Sequence, residues 1–466
     1  MKSKASFLIA EAVANEEPAE EEQDNQTVPA HTRKKPKRRS LADNDTLPRI
    51  IENIDLPECE KQCSCGLHRF KMDEEISYKL KIEPAKVQIV EYHRHKYACA
   101  CEDGIKTAPM PKTAIPKSIA TSELLAWVIT NKYCDALPLY RQGFILKRLG
   151  VEISRAVMAD WMIKCSELLE CLYEALRQRM VKQPCLQADE TPLQVLNEPG
   201  RSPKNKSYMW VYRTAPSLGS PIILYDYQTG KSHEYPEAFL NGFSSYLQSD
   251  GMSAYRTLSD KISGITQTGC FAHVRRKFKE AFDAMPKKKG QPHKINRPAQ
   301  VLTMIKKLYE IERRIKDKSP KERYRIRQEE SKATLDKLKA WLDKNQPLIL
   351  PKGLLGQAIT YAQNQWPYVI RYIDDGLLDI DNNAAERAIK PFVIGRKNWM
   401  FSQSPKGARA SAILYSLVET AKANGFEPYA WLCHVLTELP KLEKGASIDH
   451  LLPIKRPIEE AKTAAA

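Results

Sequence analysis

The sequence predicts a multidomain α/β protein, and three observations support this. The chain has 466 residues, which is enough for two to four domains with a sizeable core. Strand-like segments cluster near the middle of the chain, and helical periodicity dominates on both sides of them. Because no apolar run approaches the roughly 20 residues that span a bilayer, we expect no membrane partner.

The charge of the chain is strongly positive. It has 73 lysines and arginines against 57 aspartates and glutamates, a formal charge of +16 and a pI near 9.2. This surplus favours a nucleic-acid partner, and a merely soluble basic protein is the alternative. The chain has eleven cysteines, and an odd number argues against a secreted disulfide framework. We therefore expect a reducing, cytoplasmic environment.

Residues 1–50 form a polar tail. An acidic block, "EEPAEEEQDN", precedes the basic run "RKKPKRR", and few apolar side chains are available to bury. Such a segment cannot offset its ordering entropy, so we expect disorder. The basic run fits two roles equally well: contact with DNA phosphates, or a solvated linker.

Residues 51–115 contain two cysteine pairs and two strand-like pieces, "YKLKIEP" and "VQIVEYHRHKYACAC". Four thiolates are a usual ligand set for tetrahedral Zn²⁺, which folds modules too small to hold themselves together. Each pair has one intervening residue rather than the commoner two, so Cys59 and His68 are alternative ligands, and free cysteines are the plain alternative. We predict a small zinc-binding module whose ligands are Cys63, Cys65, Cys99 and Cys101.

Residues 116–180 show helical periodicity. Within them, "YRQGFILKRLGVEISRAVMADWM" predicts two short helices around Gly150, with Ser154 as the N-cap of the second. Two helices joined in this way are typical of helix-turn-helix DNA-binding modules, and an ordinary αα-corner explains them equally well. We therefore predict a helical, helix-turn-helix-like module.

Residues 181–285 and 350–402 are predicted to form a sheet-bearing core. Three strand candidates, "CLQADETPLQVL", "YMWVYRT" and "PIILYDY", follow one another with turn-forming residues between them. A helix-like stretch, "HEYPEAFL", and two further strands, "SSYLQSDG" and "ITQTGCFAHV", complete the set. Residues 286–349 are predicted to be a helical insertion, and residues 403–466 a C-terminal helical region. This order of strands matches a ribonuclease-H-like catalytic core.

Acidic residues occupy two of these strands. Asp189 lies in an apolar-flanked strand and Asp250 at the end of another, where a buried carboxylate is costly without a partner. A hydrogen-bonded turn is the plain alternative for Asp250. Glu386, in "DNNAAERAIK", either completes a capping box with Asn383 or is a third ligand. Three converging carboxylates can hold two divalent cations for phosphoryl displacement, and an all-oxygen set favours Mg²⁺ or Mn²⁺.

Seven motifs follow one another along the chain: "KYACAC", "YCDALPLYRQ", "LQADETPLQVL", "LQSDGMSAYRTL", "GCFAHVRRKF", "NQWPYVIRYIDDGLLDIDNNAAERAIKPFVIGRKNWMFS" and "GARASAILYSLVETAKANGFEPYAWL". From about residue 50 to its end, the chain resembles a DDE transposase of the insertion-sequence-66 family. The resemblance implies that Asp189, Asp250 and Glu386 are the catalytic triad. It also implies a zinc-finger-like N-terminal module, and the cutting and joining of double-stranded DNA at the ends of a mobile element. The implied assembly is a homo-oligomer on DNA, with accessory proteins of the same element as further partners.

Other polar residues lie close to these acids in the sequence. Cys270 and His273 resemble a pair that related transposases carry, for which a metal-ligating and a hydrogen-bonding role both fit. Cations on the same segments are expected to meet DNA phosphates, and a solvated helix face is the alternative. These predicted DNA-binding residues are Arg275, Arg276, Lys277, Arg387, Lys390, Arg396 and Lys397.

Two other functions remain open at this point. One is a ribonuclease-H-like nuclease without strand transfer, and the other is a domesticated or inactive DNA-binding derivative. A simple nuclease needs no recognition of element ends, so the predicted N-terminal modules and the insertion favour a transposase. All three carboxylates are present, which favours an active enzyme.

Overall fold

The computed structural model of the chain describes residues 51, 64, 76–77, 79, 86–98, 105–285 and 296–454. The chain divides by its internal contacts into two units, Met1–Val87 and Gln88–Ala466. In the first unit, the described residues form no helix or strand. The predicted tail lies outside the described residues, as do the four predicted zinc ligands Cys63, Cys65, Cys99 and Cys101. Every element named below belongs to the second unit.

The second unit begins with a short antiparallel hairpin, β1 (Lys96–Ala98) and β2 (Ile105–Thr107). The longer strand that the sequence suggests across "VQIVEYHRHKYACAC" is wrong in its length, because residues 87–95 are exposed and have no regular structure. Alternating apolar side chains stabilise a strand only where they pack against other groups. Ile89, in this segment, is 91% exposed.

Three helices precede the large sheet: α1 (Ser122–Tyr133), α2 (Leu139–Arg148) and α3 (Arg155–Met180). The side chain of Ser154 accepts a hydrogen bond from the N–H of Val157 at 3.3 Å, so Ser154 caps α3 as predicted. The second helix is 26 residues long rather than short. Buried apolar residues continue along it as far as its last residue, and this packing extends the helix.

A five-stranded mixed sheet forms the centre of the unit. Its strands are β3 (Cys185–Gln194), β4 (Lys206–Thr214), β5 (Ile223–Gln228), β6 (Tyr246–Gln248) and β7 (Thr266–Thr268). Strands β3, β4 and β5 form an antiparallel meander. Helix α4 (Glu234–Phe239) precedes β6, which pairs in parallel with β3, and α5 (Ser253–Lys261) precedes β7, which pairs in parallel with β6. The spatial order is β5–β4–β3–β6–β7, so the mixed α/β class is confirmed.

Eight further helices follow within the described residues. They are α6 (Phe271–Asp283), α7 (Arg297–Arg314), α8 (Pro320–Ile326), α9 (Lys332–Asn345), α10 (Leu354–Val369), α11 (Asn383–Trp399), α12 (Pro405–Ala423) and α13 (Pro428–Glu438). A π-helical stretch, Arg327–Ser331, joins α8 to α9. Across the described ranges, no helix has the length and apolar character needed to cross a membrane.

Two hydrophobic clusters hold these elements together. The larger cluster joins the sheet to α1, α3, α12 and α13. The second lies mainly among α6, α7, α9 and α10. The helices before the sheet therefore share one core with it.

Helix α12 covers the outer edge of β5. The hydroxyl groups of Ser416 and Thr420 accept hydrogen bonds from the N–H groups of Tyr225 and Ile223, at 2.7 and 3.0 Å. An uncovered edge strand would expose unpaired backbone groups to other chains. The C-terminal helices therefore complete the sheet.

Candidate active site

One predicted aspartate, Asp189, lies within β3, and the other, Asp250, lies just beyond the end of the neighbouring parallel strand β6. Gln187 of β3 is paired with Gln248 of β6, and their side chains share a hydrogen bond of 2.8 Å. Asp189 and Asp250 each follow two residues later, and two residues return a strand side chain to the same face. Asp250 also forms the predicted turn, because its Oδ1 accepts the N–H of Met252 at 3.0 Å.

Helix α11 begins against β3. The buried side chain of Asn382 donates a hydrogen bond to the carbonyl oxygen of Ala188 at 2.9 Å. The backbone N–H of Asn382 donates to the Sγ of Cys270 at 3.2 Å. Since Ala188 directly precedes Asp189, these bonds bring the first turns of α11, and with them Glu386, close to the aspartates.

The predicted capping box of Asn383 and Glu386 is wrong. Asn383 is the first residue of α11 rather than its N-cap, and its N–H donates to the carboxylate of Asp381 at 3.0 Å. Glu386 is consequently the fourth residue of the helix, whereas the box requires a third-position glutamate. Its carboxylate faces α6 instead, with Oε2 3.4 Å from the Nη2 of Arg276 and Oε1 3.7 Å from the Nε2 of His273.

The pKa of Asp189 reflects the closeness of the carboxylates. Burial, and then the negative charges of Glu190, Asp250 and Glu386, raise the pKa of Asp189 from 3.8 to about 8. The N–H of Glu190 donates to the Oδ1 of Asp189 at 2.9 Å and acts in the opposite direction. Added positive charge beside such a group favours its ionised form. The carboxylate group therefore has the electrostatic character of a cation site.

Glu190 is a fourth carboxylate at this end of the sheet. Its side chain is 5% exposed, and its Oε1 lies 2.8 Å from the Nζ of Lys231. The hydroxyl of Tyr255 donates to its Oε2 at 3.4 Å. Because Glu190 already has these partners, it is a poorer candidate for a metal ligand than Asp189. Sequence reasoning missed Lys231, since nothing in the turn after β5 distinguishes it from other exposed lysines.

Cys270 and His273 lie directly beside the glutamate. The possible ligand atoms of Cys270, His273 and Glu386 are all within 4.8 Å of one another. Burial raises the pKa of the Cys270 thiol to about 12, and the Sγ of this thiol accepts the backbone N–H of Asn382 at 3.2 Å. Of the two roles that the sequence leaves open, this geometry favours hydrogen bonding that holds the start of α11.

Helices of the predicted insertion, residues 286–349, hold the loop before α11 in place. Arg327 is fully buried and donates to the carbonyl oxygens of Tyr372, Asp375 and Leu378 at 2.7–2.8 Å. It also forms a two-bond ion pair with Glu312, at 2.6 and 2.9 Å. A buried charge is tolerated only when its polar atoms have partners, and this guanidinium has five hydrogen bonds. The insertion therefore fixes the path of the loop.

The same loop is tied to the sheet and to α7. The side chain of Gln248 donates to the carbonyl oxygen of Asp379 at 2.7 Å. The hydroxyl of Tyr309, on α7, donates to the Oδ2 of Asp381 at 2.9 Å. Asp381 is the residue whose other carboxylate oxygen binds the first N–H of α11. A chain of contacts therefore runs from the insertion to the helix that carries the glutamate.

The predicted DNA-contact residues lie on α6 and α11. Arg396 is half-buried, and its Nη1 donates to the hydroxyl of Thr191 at 3.2 Å. Lys277 lies 3.3 Å from Glu280. The other members of the set are exposed, as Lys277 is: Arg275, Arg276, Arg387, Lys390 and Lys397. The two helices that meet at the glutamate therefore also present cations on their outer surfaces.

The three predicted carboxylates offer the donor type of a hard divalent cation, although the described group whose ligand atoms all lie within 4.8 Å of one another is Cys270, His273 and Glu386. Carboxylate oxygen is their only donor type, and Mg²⁺ and Mn²⁺ prefer oxygen ligands. The Oε1 of Glu386 is buried and accepts no hydrogen bond from any described residue. The Nε2 of His273, at 3.7 Å, lies beyond hydrogen-bonding distance of this oxygen, and a buried carboxylate oxygen without a hydrogen bond is costly. The neighbouring carboxylates add to the effect of burial in raising the pKa of Asp189.

Three family models match consecutive parts of the chain. A model described as "Transposase IS66 family" matches residues 117–410. The model of the "IS66 C-terminal element" matches residues 416–454. The "zinc-finger binding domain of transposase IS66" matches residues 60–102, a range that includes all four predicted zinc ligands.

Similar proteins occur in Sinorhizobium fredii. The protein y4qI is 33% identical over 417 residues, which is 86% of this chain and 75% of the relative. The protein y4jD is 32% identical over 409 residues, which is 84% of this chain and 78% of the relative. Both are described only as uncharacterised, so they show likeness along the chain without indicating an activity.

Proposed function

The chain belongs to the IS66 transposase family, and we propose that it cuts and joins DNA at the ends of a mobile element. Its catalytic carboxylates would be Asp189, Asp250 and Glu386. The observation that supports this best is the position of Asp189, two residues beyond the Gln187–Gln248 pair that precedes Asp250, and next to Ala188, which binds the start of α11. Burial and Glu190, and then Asp250 and Glu386, raise the pKa of Asp189 to about 8. Acidic groups that repel one another in this way are suited to holding cations beside a phosphodiester.

The proposed catalytic core is ribonuclease-H-like and comprises residues 181–285 and 350–402. The sheet order supports this assignment, because an antiparallel meander is extended by two strands parallel to its first strand. Residues 286–349 would be its helical insertion. Residues 116–180 would form the helix-turn-helix-like module, and residues 403–466 the C-terminal region.

The proposed metal is Mg²⁺ or Mn²⁺, held by the three carboxylates. When bound there, the ion supplies positive charge and Lewis acidity beside the reacting phosphate. The residues of the chain orient the site: the turn at Asp250 fixes one carboxylate, while His273 and Arg276 lie against Glu386. Arg276 is 54% exposed, which leaves it accessible to a DNA phosphate.

The proposed partner is double-stranded DNA, both at the element ends and at the target. The charge of +16 and the exposed cations of α6 and α11 support phosphate contacts, which give affinity and position rather than base readout. We also propose a homo-oligomer acting in the cytoplasm on nucleoid DNA, with accessory proteins of the same element.

The proposed zinc ligands lie within the range matched by the zinc-finger model, residues 60–102. Metal analysis of the full chain should give one Zn²⁺ per chain. The double substitution Cys99→Ser and Cys101→Ser should remove it, because two of the four thiolates are lost. An unchanged zinc content would exclude this ligand set.

The experiment that tests the catalytic proposal is cleavage of a supercoiled plasmid that carries the element's ends, with and without Mg²⁺. Asp189→Asn should lower Mg²⁺-dependent cleavage by at least about 100-fold, as expected when one member of a catalytic unit is removed. Asp336→Asn, an equal charge change at an exposed position on α9, should cleave like the wild type. Cleavage at the wild-type rate by Asp189→Asn would refute the proposal.

The same assay separates the alternative functions. A nuclease without strand transfer would nick the plasmid but leave no joined product. An inactive DNA-binding derivative would shift the plasmid in a gel and cleave it no faster than Asp189→Asn does.

A further inference from the structure

An open groove of about 400 Å³ lies beside the end of β3. Lys204 and Lys206, at the turn between β3 and β4, line one side of it. Arg396 and Met400, at the end of α11, line the other. None of the described residues that line the groove is acidic. Three cations without a carboxylate indicate an anionic occupant.

Met400 is an unexpected residue in a cationic groove. It is 70% exposed, and its φ of +66° is a backbone conformation that side chains other than glycine rarely adopt. The chain is held on both sides of it, because Met400 N–H donates to Arg396 O at 2.6 Å and Ser402 N–H donates to Gln194 O at 2.9 Å. A residue strained by about 1–3 kcal/mol persists only where its surroundings impose the conformation. The fold therefore fixes an apolar side chain at the surface.

The groove lies close to the carboxylates. Thr191, which accepts the hydrogen bond from Arg396, follows Asp189 by two residues on the same face of β3. Leu193, which lines the groove, follows by four. At a rise of about 3.4 Å per residue, the lining residues Pro192 and Leu193 lie about 10 and about 14 Å along β3 from Asp189. These distances correspond to about three to four stacked nucleotides at 3.4 Å each.

We propose that this groove receives unpaired nucleotides of the DNA strand next to the cleaved bond. In this arrangement Lys204, Lys206 and Arg396 contact the phosphates, and Met400 packs against a base. The placement next to a cleaved bond rests on the proposed function. The groove's preference for unpaired nucleotides rests on its own residues.

The chemistry of the two kinds of side chain supports this occupant. Lysine and arginine neutralise phosphates whether the DNA is paired or not. A thioether is polarizable and packs well on a flat aromatic surface, and methionine is among the side chains that unstack base steps. A stacked duplex buries the faces of its bases and would leave Met400 in water.

The test measures DNA binding by the full chain in EDTA, so that cleavage plays no part. The probes are a blunt 20-base-pair duplex and the same duplex with a five-nucleotide 3′ tail that contains 2-aminopurine. The wild type should bind the tailed probe at least about fivefold more tightly, as expected for one base contact, and should change the 2-aminopurine fluorescence. Met400→Ala should lose the preference and the fluorescence change, whereas Met400→Leu should keep both.

Two further variants complete the design. Lys204→Ala combined with Lys206→Ala should weaken binding of both probes and reduce the salt slope by up to about two. Leu348→Ala, which truncates an apolar residue that is 61% exposed between α9 and α10, should behave like the wild type.

The proposal is overturned if the wild type binds both probes equally, or if Met400→Ala keeps the preference for the tail. It is also overturned if Met400→Ala weakens the binding of both probes to the same extent, since Met400 would then contact the duplex. These outcomes are independent of the carboxylates. A wild type without a tail preference, but with cleavage that Asp189→Asn abolishes, overturns only the groove. A wild type with the tail preference, but with cleavage that Asp189→Asn leaves unchanged, overturns only the cleavage mechanism.

Discussion

Substituting Asp189 by asparagine should stabilise the metal-free protein while abolishing cleavage. The pKa of Asp189 is raised from 3.8 to about 8 by burial and by the neighbouring carboxylates, so ionising it in the folded state is unfavourable. Between pH 3.8 and pH 7, the free-energy cost of keeping Asp189 protonated or of ionising it in the folded state grows by about 1.36 kcal/mol per pH unit. It reaches at most about 4 kcal/mol. Asparagine removes this cost and keeps the oxygen that accepts the N–H of Glu190.

The pH dependence has a definite sign. Since the folded-state pKa of Asp189 lies above its unfolded value, its contribution to stability is fully present below about pH 4. That contribution is lost progressively as the pH rises towards about 8. The free energy of unfolding of the metal-free wild type should therefore fall over this range, and that of Asp189→Asn should fall less steeply.

Urea denaturation between pH 4 and 9, in EDTA and again in excess Mg²⁺, measures both effects. Mg²⁺ should stabilise the wild type by about 2.7 kcal/mol at a concentration one hundred times its dissociation constant, and should stabilise Asp189→Asn far less. Asp336→Asn should change the stability by less than about 0.5 kcal/mol at any pH. The reasoning is refuted if Asp189→Asn is less stable than the wild type in EDTA at pH 7, or if Mg²⁺ stabilises both proteins equally.

Three further outcomes are expected. Glu386→Gln should fold normally and bind DNA without divalent cations. Its Mg²⁺-dependent cleavage should fall by at least about 100-fold, because the amide lacks the anionic oxygen that hard cations prefer. Cleavage near the wild-type rate would make Glu386 purely structural. Arg327→Met should lower the free energy of unfolding by about 3–5 kcal/mol, since it removes both short hydrogen bonds to Glu312 and leaves three carbonyl oxygens without their donor. Arg325→Ala, which removes a 63% exposed member of a surface ion pair, should lower the free energy of unfolding by less than about 1 kcal/mol. Equal losses for Arg327→Met and Arg325→Ala in urea denaturation would contradict the structural role of Arg327. Arg396→Ala combined with Lys397→Ala should reduce the slope of log affinity against log salt by about two, and an unchanged slope in anisotropy titrations would remove both residues from the DNA interface.

The parts of the fold that the sequence predicted correctly depend on local patterns. Alternating and apolar runs between turn-forming residues located all five strands of the large sheet. The last prediction, "ITQTGCFAHV", is wrong in its extent, because β7 ends at Thr268 and α6 begins at Phe271. Ser154 was identifiable as an N-cap because a cap depends on neighbours within one helical turn. The two aspartates stood out because a carboxylate in an apolar strand requires an explanation.

The errors occurred where local patterns competed with packing. The pattern of Asn383 and Glu386 satisfies a capping box, yet α11 begins at Asn383, one residue earlier than the box requires. Asn382 instead bonds to the backbone of β3, outside its own helix. The segment around Ile89 alternates like a strand but is exposed along its length, so its pattern has no core to stabilise it.

The sequence alone located the sheet-forming and helical regions of the second unit and the acidic residues to consider together, but not the extent of every helix and strand. Only the tertiary structure decided how the glutamate is held near the aspartates. Arg327 lies in an ordinary charged helical stretch, but it is fully buried and bonds to carbonyl groups 45 to 51 residues further along the chain. Met400 likewise owes its strained, exposed position to anchors on either side, one of them the distant Gln194. Such contacts join groups far apart in sequence, and a buried charge or a strained residue is tolerated only because its distant partners are already in place.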